Sequence, residues 1–380
     1  MKICFLCVEI FAWGKYGGFG RSTRVIGREL VKRGVEVTAV VPRRPGQKPV
    51  EMLDGIKVLS FSHRWPFGMT KLIRECDADI YHSQHPSLAT YLALRAMPDR
   101  RHVVTFRDPK ELNDWWLELT NPSLSKAQVL LNWAYEDGPL VGHAVRRVDG
   151  TYSAAPSVNE KVRRKYGFAT DPELLATPVD LNRHVVKSER PTVLFIGRWD
   201  RRKRPQLYFE LARQFPDVRF LAAGKSNDKV WEADLRQRYG GAPNLELLGF
   251  IDQFDSGKLK ALLSESWILV NTSVREGLPT SFLEALANKC ALLSSVNPGG
   301  ATERYGEFVT DDNFGAGLAR LLEGDAWRAK GEAGWEYVRE TFELEAVLQK
   351  HMNVYERLMA SGRRQQRGSP PAARLDLPQS

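Results

Sequence analysis

The sequence predicts an α/β fold of two consecutive doubly wound, parallel-sheet domains. Short apolar runs alternate with helical segments from the N-terminus onward, the pattern of a parallel sheet with crossover helices. The alternation pauses at the polar, proline-containing stretch 185–191 and then restarts. A chain of 380 residues also holds about two domains of roughly 100–200 residues each.

In the first domain, residues 1–185, the run Ile3–Val8 reads as a strand. Glu9 interrupts it and no small-residue cleavage site follows, so a buried first strand is expected rather than a secretion signal. Residues 20–33 read as a helix that Gly34 ends. Val35–Val41, Ile56–Phe61, Ile80–His82 and His102–Phe106 read as strands, with a helix at Ser87–Ala96. Residues 123–148 read as helical, Gly150–Ser153 as a short strand and Asn159–Tyr166 as a helix. The second domain, residues 190–345, has strands at Val193–Ile196, Val218–Ala223, Leu245–Leu247, Ile268–Val270 and Ala291–Ser295. Helices at Gln206–Gln214, Trp231–Tyr239, Ser256–Glu265 and 280–288 separate them. Residues 335–360 read as one long amphipathic helical stretch, and 361–380 as a disordered tail. Ligands of such sheets bind outside the carboxyl ends of the strands, so two facing domains make one cleft.

Lys and Arg outnumber Asp and Glu by 55 to 46, a formal charge of +9. That balance favours an anionic partner without choosing among nucleotide, phosphorylated substrate, nucleic acid or acidic membrane. No zinc-finger, RRM or KH signature is present, which sets nucleic acid aside. No apolar stretch approaches the roughly 18 residues of a transmembrane helix. Four cysteines are too few for a disulfide framework. Cys4-x-x-Cys7 has zinc-like spacing but no second pair, and its thiols point to opposite faces of a strand. Buried thiols in a reducing cytoplasm are the expectation.

The most informative segment is Arg275-Glu276-Gly277-Leu278-Pro279-Thr280-Ser281-Phe282-Leu283-Glu284, just after the strand end Asn271-Thr272-Ser273. Glu276 lies on a loop, and a helix opens near Thr280. Free N–H groups and the positive dipole end there suit a phosphate. Pro279 costs little at a helix start. Glu284, about one turn in, reaches the same mouth, where a carboxylate suits ribose hydroxyls. A second reading stands beside this one, because Ser281-x-x-Glu284 is also a capping box.

Glu276 and Glu284, with Gly-Leu-Pro between them, resemble the paired-glutamate motif of the retaining GT-B glycosyltransferases of family 4. The resemblance covers nearly the whole chain, specific in the second domain and loose in the first. It implies the GT-B architecture, with residues 346–360 crossing back onto the first domain as a C-terminal helix. It also implies transfer of a sugar from a nucleotide sugar to a hydroxyl acceptor, with retention and without a metal or other cofactor. Arg198 and Lys203 match the family's Arg and Lys after the second domain's first strand. Two cations there suit the donor's two phosphates and the charge growing on the leaving group. Gly17, Gly18 and Gly20 match the glycine turn that lies against the donor diphosphate and the acceptor. Their spacing is not the dinucleotide fingerprint. Gly224 joins the donor set, as does Phe250, whose turn packs beside the nucleobase; so do Gly277, Leu278, Pro279 and Thr280. In this scheme Glu276 positions the donor sugar and steadies its anomeric carbon, and Glu284 holds ribose.

The first domain departs from the pattern at Val103-Val104-Thr105-Phe106-Arg107-Asp108-Pro109, where Arg107 stands in place of the family's His. Arg107 binds diphosphate or a phosphorylated acceptor while Asp108 orients it or accepts a proton; alternatively the two form a structural pair. His82 and His85, at the cleft end of a strand, are acceptor-contact candidates. Arg21, Arg24, Arg28 and Lys32 share one helical face. His63-Arg64-Trp65-Pro66-Phe67-Gly68-Met69 and Asp114-Trp115-Trp116-Leu117 read as aromatic loops. Together they suit an anionic membrane surface, or else a solvated helix face and buried tryptophans. The implied setting is cytoplasmic, peripheral at the inner membrane face, in envelope polysaccharide or glycolipid synthesis. Two alternatives keep the fold: a nucleotide-sugar epimerase, which needs no acceptor, and a degenerate GT-B domain that binds without catalysis.

Overall fold

Two parallel sheets organise the chain, with continuous apolar strands because both faces of each sheet are covered. The computed structural model describes residues 1–14, 16–62, 68–122, 125–254 and 257–361. The first sheet contains β1 (Lys2–Leu6), β2 (Glu36–Pro42), β3 (Val50–Leu53), β4 (Ile56–Phe61), β5 (Ile80–Ser83), β6 (Arg101–Phe106), β7 (Gly150–Ser153) and β8 (Glu173–Leu174). Their order is β3-β4-β2-β1-β5-β6-β7-β8, and only β3 runs antiparallel to its neighbour. Helices α1 (Gly18–Lys32), α2 (Met69–Cys76), α3 (Leu88–Ala96), α4 (Leu112–Thr120), α5 (Lys126–Asp137), α6 (Pro139–Val145) and α7 (Asn159–Tyr166) belong to this half.

The second sheet contains β9 (Thr192–Ile196), β10 (Arg219–Ala223), β11 (Leu245–Gly249), β12 (Ile268–Asn271), β13 (Ala291–Ser294) and β14 (Gly306–Phe308). Its order is β11-β10-β9-β12-β13-β14, parallel throughout. Around it lie α8 (Pro205–Gln214), α9 (Lys229–Tyr239), α10 (Lys258–Glu265), α11 (Thr280–Leu286), α12 (Ala301–Tyr305), α13 (Phe314–Leu322) and α14 (Ala326–Thr341). Strand residues alternate between two cores. Val193, Phe195, Ile268 and Val270 pack under α8, α9 and α13, while Leu194 and Leu269 pack under α10, α11 and α14. Each such buried side chain contributes about 1.5–3 kcal/mol. In the first sheet, Cys4 and Cys7 are buried in different cores, on opposite faces.

The chain crosses between the sheets twice, side by side. After β8, Leu175 packs in the first core and Ala176, Val179 and Leu181 pack in the second. On the return, Phe342 lies in the second core and α15 (Leu344–Ala360) lays Val354, Tyr355 and Leu358 on the first. The crossings touch where the Val179 N–H donates to the Phe342 carbonyl at 2.8 Å. That bridge breaks the expected single helix 335–360 into α14 and α15. The polar stretch 185–191 lies past the crossing, against the second sheet. There the Lys187 ammonium donates to the Asn288 carbonyl at 2.7 Å, and the Trp267 indole to the Ser188 carbonyl at 2.9 Å.

Other departures have local causes. The helical stretch 123–148 splits at Gly138, whose extended backbone lets Pro139 open α6. Asp114-Trp115-Trp116-Leu117 is not a loop but the body of α4, started by a reciprocal cap between Glu111 and Asp114. The short elements β3, β8, β14, α2, α12 and α13 left no readable pattern. The aromatic segment 63–67 and the tail 362–380 lie outside the described residues, as does the predicted helix start Ser256.

Candidate active site

Both sheets reverse their winding next to their first strand, between β1 and β5 and between β9 and β12. Loops diverge at such switch points and leave a crevice. The loops beyond β1 and β12 meet across the domains. Arg21 of α1 forms an ion pair with Glu284 of α11. Glycines stand at three of the places where the domains come close. A Cβ on Gly18 would lie 2.9 Å from Thr280 Oγ1, and one on Gly277 3.0 Å from Asp108 Oδ1. At Gly299 it would lie 2.7 Å from Ser157 Cβ. A larger residue at any of these places pushes the domains apart.

On the second-domain wall, Lys203 and Glu276 form an ion pair. The Ser273 hydroxyl donates to Glu276 Oε1 at 2.7 Å, and the Asn271 amide is 3.5 Å away. Burial pushes the Glu276 carboxyl up, but the Lys203 ammonium and the Ser273 hydroxyl pull harder, so it lies below the usual range and stays ionised. The loops that carry the pair are laced together. Thr272 Oγ1 donates to the Lys203 carbonyl at 2.6 Å, and the Val274 N–H to the Arg202 carbonyl at 3.0 Å. Arg198, on the same loop as Lys203, instead pairs with Asp200 at 3.3 Å and lines an adjoining groove with Trp231. Gly224, at φ +153, lets the loops after β9 and β10 touch, since a Cβ there would sit 1.9 Å from the Gly197 carbonyl oxygen. The Phe250 ring lies tilted against that of Tyr16 of the first domain, centroids 4.1 Å apart, and the Lys225 ammonium lies 4.7 Å from the Phe250 ring centroid. Leu278 packs on the second core.

The capping-box reading of Ser281 and Glu284 is not what forms. Pro279 is the N-cap of α11, Thr280 begins the helix, no side chain caps it, and Glu284 reaches across to Arg21. The glycine turn is also filled differently from the expectation. The Gly20 N–H at the start of α1 donates to Glu9 Oε1 at 3.0 Å, so the protein's own carboxylate takes that position. Gly17 and Gly20 make room for this packing: a Cβ would meet Glu9 Oε1 at 2.0 Å or the Ile10–Phe11 backbone at 2.8 Å.

The first-domain candidates are mostly turned inward. Arg107 is buried and donates to the Gln84 carbonyl (2.9 Å), Thr177 Oγ1 (2.8 Å) and Gln84 Oε1 (2.6 Å). It ties the ends of β5 and β6 to the crossing segment through three hydrogen bonds; burial lowers its pKa to about 10. Asp108 does not pair with it. Both Asp108 oxygens accept from Arg275 of the second domain, at 2.7 and 2.8 Å, and Arg275 Nε donates to Asp114 at 2.7 Å. Arg202 adds a contact to Glu118 at 3.0 Å. Arg275 and Arg202 therefore clamp three first-domain carboxylates across the interface. Burial raises the Asp108 carboxyl, but Arg275 outweighs it, leaving a poor proton acceptor. His82 is no acceptor contact: it is a core residue, with its ring nitrogens 2.7 Å from the Tyr355 hydroxyl of α15 and from Thr105 Oγ1. His85 lies 5.3 Å from the Phe19 ring, and its Nδ1 has no hydrogen-bond partner among the described residues. Burial holds it neutral, with a pKa near 3. The cationic face of α1 is occupied too, Arg21 by Glu284, Arg24 by Asp54, and Arg28 and Lys32 by Glu29.

Sequence reasoning missed Arg275, Arg21, Tyr16 and Glu9 as site residues. Arg275 and Arg21 border recognised motifs, but their partners lie in the other domain and leave no local signal.

The family model for Glycosyltransferase Family 4 matches residues 16–183, and that for glycosyl transferases group 1 matches residues 178–318. The chain belongs to the family 4-type GT-B glycosyltransferases. Among solved structures, sucrose-phosphate synthase from Thermosynechococcus elongatus is similar at 18% identity, over 95% of this chain and 99% of that one, with a TM-score of 0.72. Anabaena Alr3699/HepE in complex with UDP-glucose is similar at 15% identity, over 94% and 100%, with a TM-score of 0.68. The lipopolysaccharide outer core galactosyltransferase WaaB, in apo form, is similar at 15% identity, over 94% and 100%, with a TM-score of 0.61. These likenesses establish the GT-B fold. No match was found among curated proteins. In this glycosyltransferase the interdomain crevice beyond β1, β9 and β12 is the candidate active site.

Proposed function

We propose that this glycosyltransferase moves a sugar from a nucleoside diphosphate sugar to a hydroxyl acceptor, with retention and without a metal, in cell-envelope polysaccharide or glycolipid synthesis at the inner membrane face. The observation that carries the reading is the Lys203–Glu276 pair on the loops after β9 and β12, with Glu284, paired with Arg21, on the helix that follows the second of those loops. A donor diphosphate competes with Glu276 for the Lys203 ammonium. Glu276, already ionised, then faces the sugar and stabilises the positive charge that grows at the anomeric carbon. Glu284 accepts from ribose, and Arg198 supplies a second cation from the same loop. The leaving phosphate takes the acceptor proton, so the site supplies orientation and charge rather than a protein base. Phe250, Tyr16 and Lys225 make an aromatic and cationic seat for the base. The UDP-glucose complex of HepE makes a UDP-sugar the first donor to test.

The test is nucleoside diphosphate release from UDP-, GDP- and ADP-sugars with and without EDTA, with the product anomer read by NMR. The expected result is release from one donor class, unaffected by EDTA and dependent on Lys203 and Glu276, with the donor's anomeric configuration kept. An inverted product rejects retention. Sugar isomerised without an acceptor selects the epimerase, and nucleotide binding with no turnover of any donor selects the degenerate module.

A further inference from the structure

The four thiols of the chain differ in their neighbours. Cys290 lies 3.2 and 3.1 Å from the Leu263 and Ser266 carbonyls, and Cys7 is buried on the far face of β1. Cys4 instead meets another thiol. It donates to Cys76 Sγ at 3.6 Å, across 72 residues of sequence. Cys4 is fully buried in the core between β1 and α2, whereas Cys76, the last residue of α2, is partly exposed. The contact is built rather than incidental to a loose end. The Tyr81 hydroxyl of β5 donates to the Ile73 carbonyl at 2.8 Å and accepts from the Ala78 N–H at 3.2 Å, so it straddles Cys76. Asp77 turns the chain left-handed directly after Cys76, at φ 40, and its carboxylate accepts from Arg100 at 2.6 Å. The Asp79 N–H then donates to the Lys2 carbonyl at 2.9 Å. These bonds place the thiols toward the amino ends of β1 and β5, and the cleft opens beyond the carboxyl ends.

We propose that Cys4 and Cys76 form a dithiol site for a hydroperoxide oxidant, which converts them to a disulfide that ties α2 to β1 and tightens the first domain. Exposure sets the order of events. Cys76 reaches water, so its sulfur attacks one peroxide oxygen, the O–O bond breaks, and Cys76 becomes a sulfenic acid while the other oxygen leaves as water. Burial pushes the Cys4 thiol well up, and the contact with Cys76 adds to this, so Cys4 stays protonated and unreactive toward solvent. Its sulfur is nevertheless already in contact with Cys76. It displaces the sulfenic hydroxyl, the S–S bond forms, and the Cys4 proton leaves with that hydroxyl as a second water. The two sulfurs lose two electrons and the peroxide gains them. The sulfurs must close to about 2 Å. Cys76 can supply that movement, because the last residue of a helix opens at little cost.

The test treats the reduced full chain, freed of reductant, with hydrogen peroxide and counts thiols after unfolding. The count is expected to fall from four to two and to return to four with dithiothreitol. Peptide mapping without reductant should find the Cys4 and Cys76 segments joined within one chain. The melting temperature of the oxidised protein should rise by about 5 °C or more, because the bridge removes the entropy of a long loop from the unfolded chain. Cys76→Ser, at a partly exposed helix end, should melt like the reduced wild type and keep its three thiols under peroxide. Cys4→Ala should leave a sulfenic acid on Cys76 that dimedone traps. Four thiols remaining in treated wild type, or a bridge to any other cysteine, overturns the site. So does the same loss of thiols in Cys76→Ser. No dimedone adduct in Cys4→Ala overturns Cys76 as the point of attack, and a Cys4–Cys76 bridge that leaves the melting temperature unchanged overturns the tightening.

Discussion

The two walls of the cleft use charge differently. On the second-domain wall, Lys203 and Glu276 pair with each other from adjoining loops and keep part of their surface open. On the first-domain wall, Arg107 is buried among neutral groups of Gln84 and Thr177, and Asp108 is held by both arms of Arg275. Under the proposed function, the first arrangement is opened by a ligand that offers phosphate to the lysine. The second can be opened only by unfolding the crossing or parting the domains. A charged residue near a cleft is therefore a ligand contact only when its present partner is exchangeable.

Breaking the clamp should have the largest effect. Arg275→Ala strips Asp108 and Asp114 of their shared cation in a mostly buried place, where such a loss costs about 3–5 kcal/mol. Urea denaturation should show it; a loss below about 1 kcal/mol would mean the two walls are not coupled here. Next comes Lys203→Ala, expected to lower the transfer rate by about 10²–10³-fold, the usual size for one lost charge-stabilising donor. Its melting temperature should stay near wild type, and a variant that keeps its rate removes Lys203 from the donor site.

Acid should act mainly through the first wall and α15. Burial holds His85 and His351 neutral, each with a pKa near 3. Their pKa values are lower folded than unfolded, so the stability is complete above about pH 6.5 and drains as pH falls toward 3. Each group contributes a slope of about 1.4 kcal/mol per pH unit over that window. His351→Gln should flatten the stability profile between pH 6.5 and about 4; an unchanged profile would show that His351 is already solvated. Asp114, drawn down to about 2 by Lys161 and Arg275 against its burial, adds a further loss below the ordinary aspartate value, and Arg275→Ala should shrink that part. Smallest is Gly18→Ala, whose methyl meets Thr280 Oγ1 at 2.9 Å. It should raise the donor KM a few-fold, about 1 kcal/mol of poorer closure, and an unchanged KM would show that the approach of Gly18 to Thr280 does not set closure.

Legibility followed the same division. Strands β9, β10, β12 and β13 read clearly because both their faces are buried, which makes uninterrupted apolar runs. Helix α4 was misread as a loop because its acids face the clamp and its Leu112 and Trp116 face outward, the reverse of the usual pattern. The split of 335–360 depends on Val179, which no local sequence signal announces. In the site, Lys203, Glu276 and Glu284 lie in two short segments with recognisable spacing. Arg107, Asp108 and His82 were placed correctly near the cleft ends of β5 and β6, but sequence does not tell which way a strand-end side chain turns. The pairs Arg21–Glu284 and Arg275–Asp108 join distant segments of two domains, and only the fold shows them.

The most direct test is a UDP titration of Lys203→Ala beside Arg107→Lys, each compared with its own unfolding curve. The account predicts that the Lys203 variant loses UDP affinity while unfolding like wild type. The Arg107 variant should unfold more easily while its folded fraction binds UDP as wild type does. The reverse pattern, with affinity lost at Arg107 and kept at Lys203, would place the donor on the first-domain wall and contradict the account.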